Sequence, residues 1–326
     1  MAPSILTADL LAQGIFHSLV AALYVEALVR SWAVEHPAQR AALRLVALAY
    51  PLVIFPLLVL LFPHRGDESF RDAALLSGRR WSDVPFLGLD LHRVFIVSMA
   101  SLGLLLLLID LVSLLRTLRR GRPPSATPDP PRAAALQAAL APLAPGGARP
   151  PVVFLDQPAP SLFCAGVRLP AIYVTAGAID LLDAGELRAA LAHELAHLRR
   201  RDPARSWAML GLRCAMGWNP TFQVLARALA GDAERLADER GVELGGERLA
   251  LASALLKLHR ATGGTGGRRT LIFGGALAGT LRRARSHDLE QRVRELLEPA
   301  PRLLPLPGLR LGLAVTSLTG LLYFVT

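Results

Sequence analysis

The chain has 326 residues, 52% apolar and only 19% charged, with a mean hydropathy of +0.40. That balance excludes intrinsic disorder, which needs few apolar residues and many charges. Two cysteines, Cys164 and Cys214, exclude a disulfide scaffold and fit free thiols in a reducing compartment. The formal charge is +10. Residues 116–310 hold 28 Lys and Arg against 17 Asp and Glu, and the rest of the chain 8 against 9. Basic charge set between apolar runs favours an anionic membrane surface over nucleic acid as partner.

In chain order, residues 10–29 form an apolar stretch interrupted by His17 and Glu26. Residues 45–62 carry no charge, and residues 94–115 carry only Asp110. Residues 311–326 are apolar behind Arg310. A membrane-crossing helix needs roughly 20 such residues, so four transmembrane helices are expected, at about 10–30, 45–62, 94–115 and within 303–326. The first nine residues lack a basic region and no cleavage pattern closes the first run, so that run is expected to stay as an anchor. Arginine placement puts loop 30–44 and residues 116–310 in the cytoplasm, and the N-terminus, loop 63–93 and Thr326 outside the inner membrane. Glu26 and Asp110 lie near the ends of their runs, where snorkelling and an inward functional role both stay open. His17, His36, His64, His92 and His259 have no partner spacing and read as structural or solvated.

Residues 116–151 read as a Pro-rich linker with a short helix at 132–141. Strands are expected at 152–155, at 161–165 (Ser161, Leu162, Phe163, Cys164, Ala165) and at 171–175. Residues 183–198 read as a helix, with Asp183 and Glu186 at capping-box spacing. Residues 204–230 read as an apolar helical stretch broken at Asn219-Pro220, 233–241 as a charged helix start, 263–269 as a mobile loop and 289–297 as a last helix. Arg199, Arg200 and Arg201 read as facing water or headgroups.

The decisive string is Ala190-Leu191-Ala192-His193-Glu194-Leu195-Ala196-His197-Leu198. Two histidines four apart project from one helical face and can share a zinc ion, with Glu194 beside them as a base. On an Ala/Leu helix of this kind, two unliganded buried histidines would be costly. A third ligand should come from a later helix. Glu234 and Asp238 again share a face, Glu234 as ligand and Asp238 as acceptor from the free nitrogen of a ligand histidine. On spacing alone an exposed charged helix start is an equal alternative.

His193–His197 followed by Glu234, Ala237 and Asp238 resembles the gluzincin membrane metallopeptidases. Trp218-Asn219-Pro220, and three membrane segments followed by a cytoplasmic domain and a fourth segment, resemble the BlaR/MecR-type antirepressor peptidases within that group. The resemblance implies a mainly α fold with a small β-sheet (α+β). It would carry a zincin-like metallopeptidase domain at 152–302, after a membrane domain at 1–115 and before a C-terminal helix at 303–326. It implies substrate pairing on the edge strand at 161–165, with an ordinary sheet strand as the equal alternative. It also implies transition-state or structural roles for His287 and Arg292, although Asp288 stands where the group has Pro. The group's sensors carry an outer penicillin-binding domain after the fourth segment, whereas this sequence stops at Thr326.

A membrane-anchored zinc endopeptidase acting on a cytoplasmic or membrane-proximal protein is therefore expected. The bilayer, a membrane sensor partner and a second copy of the chain are its expected partners, with no nucleic acid. The alternative is a non-enzymatic transducer that retains the zinc fold, against which the intact Glu194 argues. An intramembrane protease is disfavoured by the charges at Arg199–Asp202.

Overall fold

The computed structural model describes residues 3–74, 85–86, 89–119, 125–143, 150–261 and 280–325. The expected loop at 263–269 and parts of the linker lie outside these residues. The chain divides into two compact units.

One unit comprises residues 1–108, 213–232 and 301–326. It holds α1 (Pro3–Ser31), α2 (Pro37–Leu61), a short helix α3 (Glu68–Ala73) and a two-residue strand pair, β1 (Pro85–Phe86) and β2 (Leu89–Asp90). It also holds most of α4 (Leu91–Arg119). Among the described residues, three helical stretches are long and apolar enough to cross a membrane: Gln13–Ser31, Pro37–Leu58 and Val94–Val112. Their exposed Leu and Val side chains are what hydrocarbon would cover. Pro51 and Pro56 sit inside α2, which neighbouring helices make tolerable in a span. The last helix (Pro307–Tyr323) has 17 residues, below that length. It docks on the first two helices through Tyr24 to Ser317 and Tyr50 to Thr319. Arg65 donates to the carbonyls of Tyr323 and Val325 at its C-terminal end.

Two of the isolated histidines, His36 and His64, have structural partners here. His36 caps α2 by accepting from the Ala38 N–H, and His64 pairs with the Tyr323 hydroxyl. Glu26 does not snorkel alone; Arg44 grips it at 2.6 Å.

The second unit comprises residues 109–212 and 233–300. After α5 (Pro130–Leu140), β3 (Val152–Leu155), β4 (Leu162–Ala165) and β5 (Ala171–Thr175) form a sheet of order β3-β5-β4. β3 runs parallel to β5 and β4 antiparallel to it, so β4 is an edge. Ser161 lies just before β4, where its N–H reaches the Thr175 hydroxyl. Thr175 also caps α6 (Ala176–Leu181). The expected capping box is present: Asp183 and Glu186 exchange hydrogen bonds at the start of α7 (Ala184–Arg199). Leu143, Phe154, Ile172, Val174, Leu187 and Leu191 pack into the main core.

α8 (Asp202–Ala215) and α9 (Pro220–Glu243) follow, then α10 (Arg248–Ala261), α11 (Thr280–Leu297) and the last helix, α12 (Pro307–Tyr323). Two boundaries differ from the sequence expectation. Residues 233–241 are the later part of a helix that begins at Pro220, and the helix at 289–297 begins at Thr280. Residues 213–232, expected within the domain at 152–302, group with the first unit. The reason is polar as much as apolar: Asn219 and Asp232 find their partners there.

Candidate metal centre

His193 and His197 sit on α7 and Glu234 and Asp238 on α9, both in the second unit. Bringing the helices close enough needs small residues between them. A Cβ on Gly241 would come within 2.9 Å of the His193 backbone, and Ala189, Ala192 and Ala237 are fully buried. His193, His197 and Glu234 each offer one ligand atom, all within 4.8 Å of one another. The two Nε2 atoms are 3.1 Å apart and face Glu234 oxygens at 3.9 and 3.7 Å.

The far side of each imidazole meets a carboxylate. His197 Nδ1 lies 2.8 Å from Asp202 Oδ2. His193 Nδ1 lies 2.9 Å from Asp238 Oδ1, with its N–H off the line to that oxygen. Those carboxylates favour the proton on Nδ1, which leaves both Nε2 lone pairs pointing at each other and at an anion. Two imidazole nitrogens and a carboxylate converging in this way fit a cation. Arg292, buried, grips Asp238 with two nitrogens at 2.7 and 2.8 Å and also approaches Glu234 at 3.2 Å. Burial would raise the Asp238 carboxyl, but Arg292 holds it far below the usual carboxylate range. Burial would lower the His197 imidazole, yet Glu234, Asp202 and Glu194 bring it up to about 9. The field that would hold a proton there is one that would hold a metal ion.

Glu194 is buried at the same place. Desolvation raises its carboxyl; the two imidazoles oppose this, Glu234 adds to it, and the Cys164 N–H donates to it. Cys164 is on β4. Thr175 N–H donates to Ser161 C=O, so alternation along β4 turns the backbone groups of Leu162 and Cys164 away from β5, toward the open edge. Burial pushes the Cys164 thiol up to about 12, with Glu194 and Asp202 adding to it. It is a protonated, half-buried thiol.

Not every expected residue joins the cluster. His287 is exposed at 84% of its side chain, with Glu290 at 3.7 Å as its neighbour, so it touches none of the reacting groups. Arg292 does join it, through Asp238 and Glu234. Arg200 does not face water or headgroups as expected: it donates to the Ala233 carbonyl and approaches Asp202. Asp202 escaped the sequence reading. Five positions after His197 it would point elsewhere on a continuous helix. The turn at Arg201, in the left-handed region at φ 56°, brings it back.

A model of the BlaR1 peptidase M56 family matches residues 132–293. The chain is similar to a "Protease HtpX homolog" of Salinibacter ruber, 30% identical over 191 residues, covering 47% of this chain and 69% of that protein. The chain belongs to the M56 family of membrane metallopeptidases. Protease HtpX homologs of Polynucleobacter necessarius and Pseudarthrobacter chlorophenolicus are 32% and 36% identical over 149 and 118 residues. The matches cover 36% and 28% of this M56 chain. They span only 51% and 41% of those two relatives. No solved structure matches it. The matched region contains the sheet, α7, α9 and Arg292, the parts that build the candidate metal centre.

Proposed function

We propose that this M56 chain is a zinc-dependent endopeptidase of the inner membrane, cleaving a cytoplasmic or membrane-proximal protein in regulatory signalling. The observation that carries the reading is the convergence of two imidazole nitrogens and the Glu234 carboxylate beside a buried Glu194. His193, His197 and Glu234 would hold zinc, leaving a coordination position open. When bound, zinc would supply Lewis acidity, polarising the scissile carbonyl and acidifying the attacking water.

The chain's own residues do the rest. Asp202 and Asp238 fix the imidazole tautomers, and Arg292 fixes Asp238. Glu194 takes the proton of the attacking water on its carboxylate and passes it to the leaving amine. Its desolvated carboxyl suits both halves of that transfer. A substrate strand adds to β4 through the N–H and C=O of Leu162 and the C=O of Cys164, next to Glu194. The peptidase domain, at 152–302 apart from residues 213–232, faces the cytoplasm, with both termini outside. A membrane sensor partner and self-association complete the proposal.

Glu194→Gln tests it. As a base that does not bind the metal, the variant should keep about one zinc per chain and its fold. It should lose ~10²–10⁴-fold in cleavage of a casein-like substrate. Cleavage at the wild-type rate would sink the hydrolase mechanism. A Glu194→Gln chain that restores every phenotype of a deletion strain would replace the enzyme with a non-enzymatic transducer.

A further inference from the structure

Residues 213–232 carry features that the peptidase reading does not use. They run from the end of α8 through a turn at Met216–Asn219 into α9. At the turn, a Cβ added to Gly14 of α1 would meet the Trp218 ring at 2.7 Å. One added to Gly103 of α4 would meet the Gly217 carbonyl at 2.7 Å. Asn219 donates to the Ser18 hydroxyl at 2.9 Å. Arg227 donates to the Leu106 carbonyl at 3.0 Å. At the other end, Asp232 binds Arg44 at 2.7 Å and Arg40 at 3.3 Å, near the start of α2. Gly14, Ser18 and Gly103 lie within or beside the membrane-length stretches Gln13–Ser31 and Val94–Val112. Asn219 to Asp232 is roughly 20 Å of helix at 1.5 Å per residue, more than half of a bilayer's ~30 Å hydrocarbon core.

The exposure pattern is inverted relative to a water-facing hairpin. The exposed residues of 213–232 are Cys214, Ala215 and Val224, whereas Arg213, Asn219, Gln223 and Asp232 are fully buried. The turn also meets the demand that hydrocarbon places on irregular backbone, which must be satisfied from within the protein. Gln223 donates to the carbonyls of Arg213 and Met216 and accepts from Arg213 Nε. Asn219 Oδ1 caps α9 by accepting the Phe222 N–H, and Pro220 at the next position has no N–H to satisfy.

We propose that residues 213–232 form a re-entrant hairpin that enters the bilayer among the spans and turns back at Trp218-Asn219-Pro220. Its Cys214, Ala215 and Val224 face contacts lipid acyl chains. Asp232, held by Arg40 and Arg44 of α2, marks the end at which the hairpin enters.

The test uses the full chain in phosphatidylethanolamine/phosphatidylglycerol liposomes. A nitroxide is attached to native Cys214 in a Cys164→Ala background. A second is placed at Val224→Cys with both native cysteines replaced. A water-facing reference is placed at Leu169→Cys, which is 87% exposed. Collisions with molecular oxygen and with a neutral nickel chelate are compared. Lipid contact predicts frequent oxygen collisions and near-complete loss of nickel collisions at Cys214 and Val224→Cys, relative to Leu169→Cys. Nickel collisions at Cys214 as frequent as at Leu169→Cys would overturn the proposal. So would low rates with both reagents, which would mean a protein cover. Should Val224→Cys fail to fold, Cys214 decides alone, since it changes no residue of the hairpin.

Discussion

Each unit buries a cluster of charge, and the two clusters differ in balance. Beside the spans, Glu26 and Asp232 meet Arg40 and Arg44, two acids against two bases. In the second unit, Glu194, Asp202, Glu234 and Asp238 surround two imidazoles, and three guanidinium groups, of Arg200, Arg205 and Arg292, reach them. Desolvated charge is costly unless it is compensated. A balanced cluster compensates itself and needs nothing more. A cluster with excess negative charge and converging imidazole nitrogens stays incomplete until it takes up a cation, either a proton at His197 or a metal ion. The contrast separates a structural ion network from a chemical site on charge count and geometry alone.

The largest effect should come from removing a charge on the incomplete side. Glu234→Gln takes away the anionic ligand, so zinc content should fall from about one per chain. Cleavage should fall by more than the ~10–100-fold typical of an outer partner. Metal analysis beside a cleavage assay reads both; retained zinc would remove Glu234 from the ligand set.

On the balanced side, Asp232→Ala should leave zinc content unchanged in folded protein. It strands two arginines, and breaking a buried pair costs ~3–5 kcal/mol. Arg40 and Arg44 keep 17% and 16% exposure, so the low end of that range is expected in the unfolding free energy. Loss of zinc without loss of stability would erase the distinction between the clusters.

A smaller change is expected from Asp202→Asn, which keeps the shape and removes the anion facing His197 Nδ1. Zinc affinity or turnover should fall by ~10–100-fold, similar to Asp238→Asn. An unaffected Asp202→Asn enzyme would show that the contact positions nothing.

The smallest effect tests a balanced pair within the second unit. Glu186 accepts from Lys257, Ser253 and the Asp183 N–H. Burial opposes its ionisation, but these donors hold its carboxyl below the ordinary value. A carboxyl depressed in the fold contributes stability above its unfolded pKa, and that contribution fades as pH falls through the folded one. The Tm gap between wild type and Glu186→Gln should therefore shrink as pH drops from about 6 to about 3. A gap that widens toward acid would reverse the assigned direction.

What could be read locally was read correctly in kind. The i, i+4 spacing of His193 and His197, and of Glu234 and Asp238, follows from 3.6 residues per turn. The capping box at Asp183 and Glu186, and three of the membrane-length runs, are also properties of consecutive residues. The start of α9 was missed because apolar 220–232 and charged 233–241 look like two segments, although one helix carries both. M56 membership was legible because its motif is local as well.

The sequence by itself determined which side chains can work as pairs, because helical periodicity sets them on one face. Only the tertiary structure decided which pairs meet. Gly241 lets α9 approach the His193 backbone, the turn at Arg201 carries Asp202 back to His197, and Arg292 reaches Asp238 from α11. It also left His287 outside the cluster and turned the Cys164 N–H toward Glu194. Periodicity extends only along one element, whereas convergence depends on how closely separate elements can pack, and that is set by residues far apart in the chain.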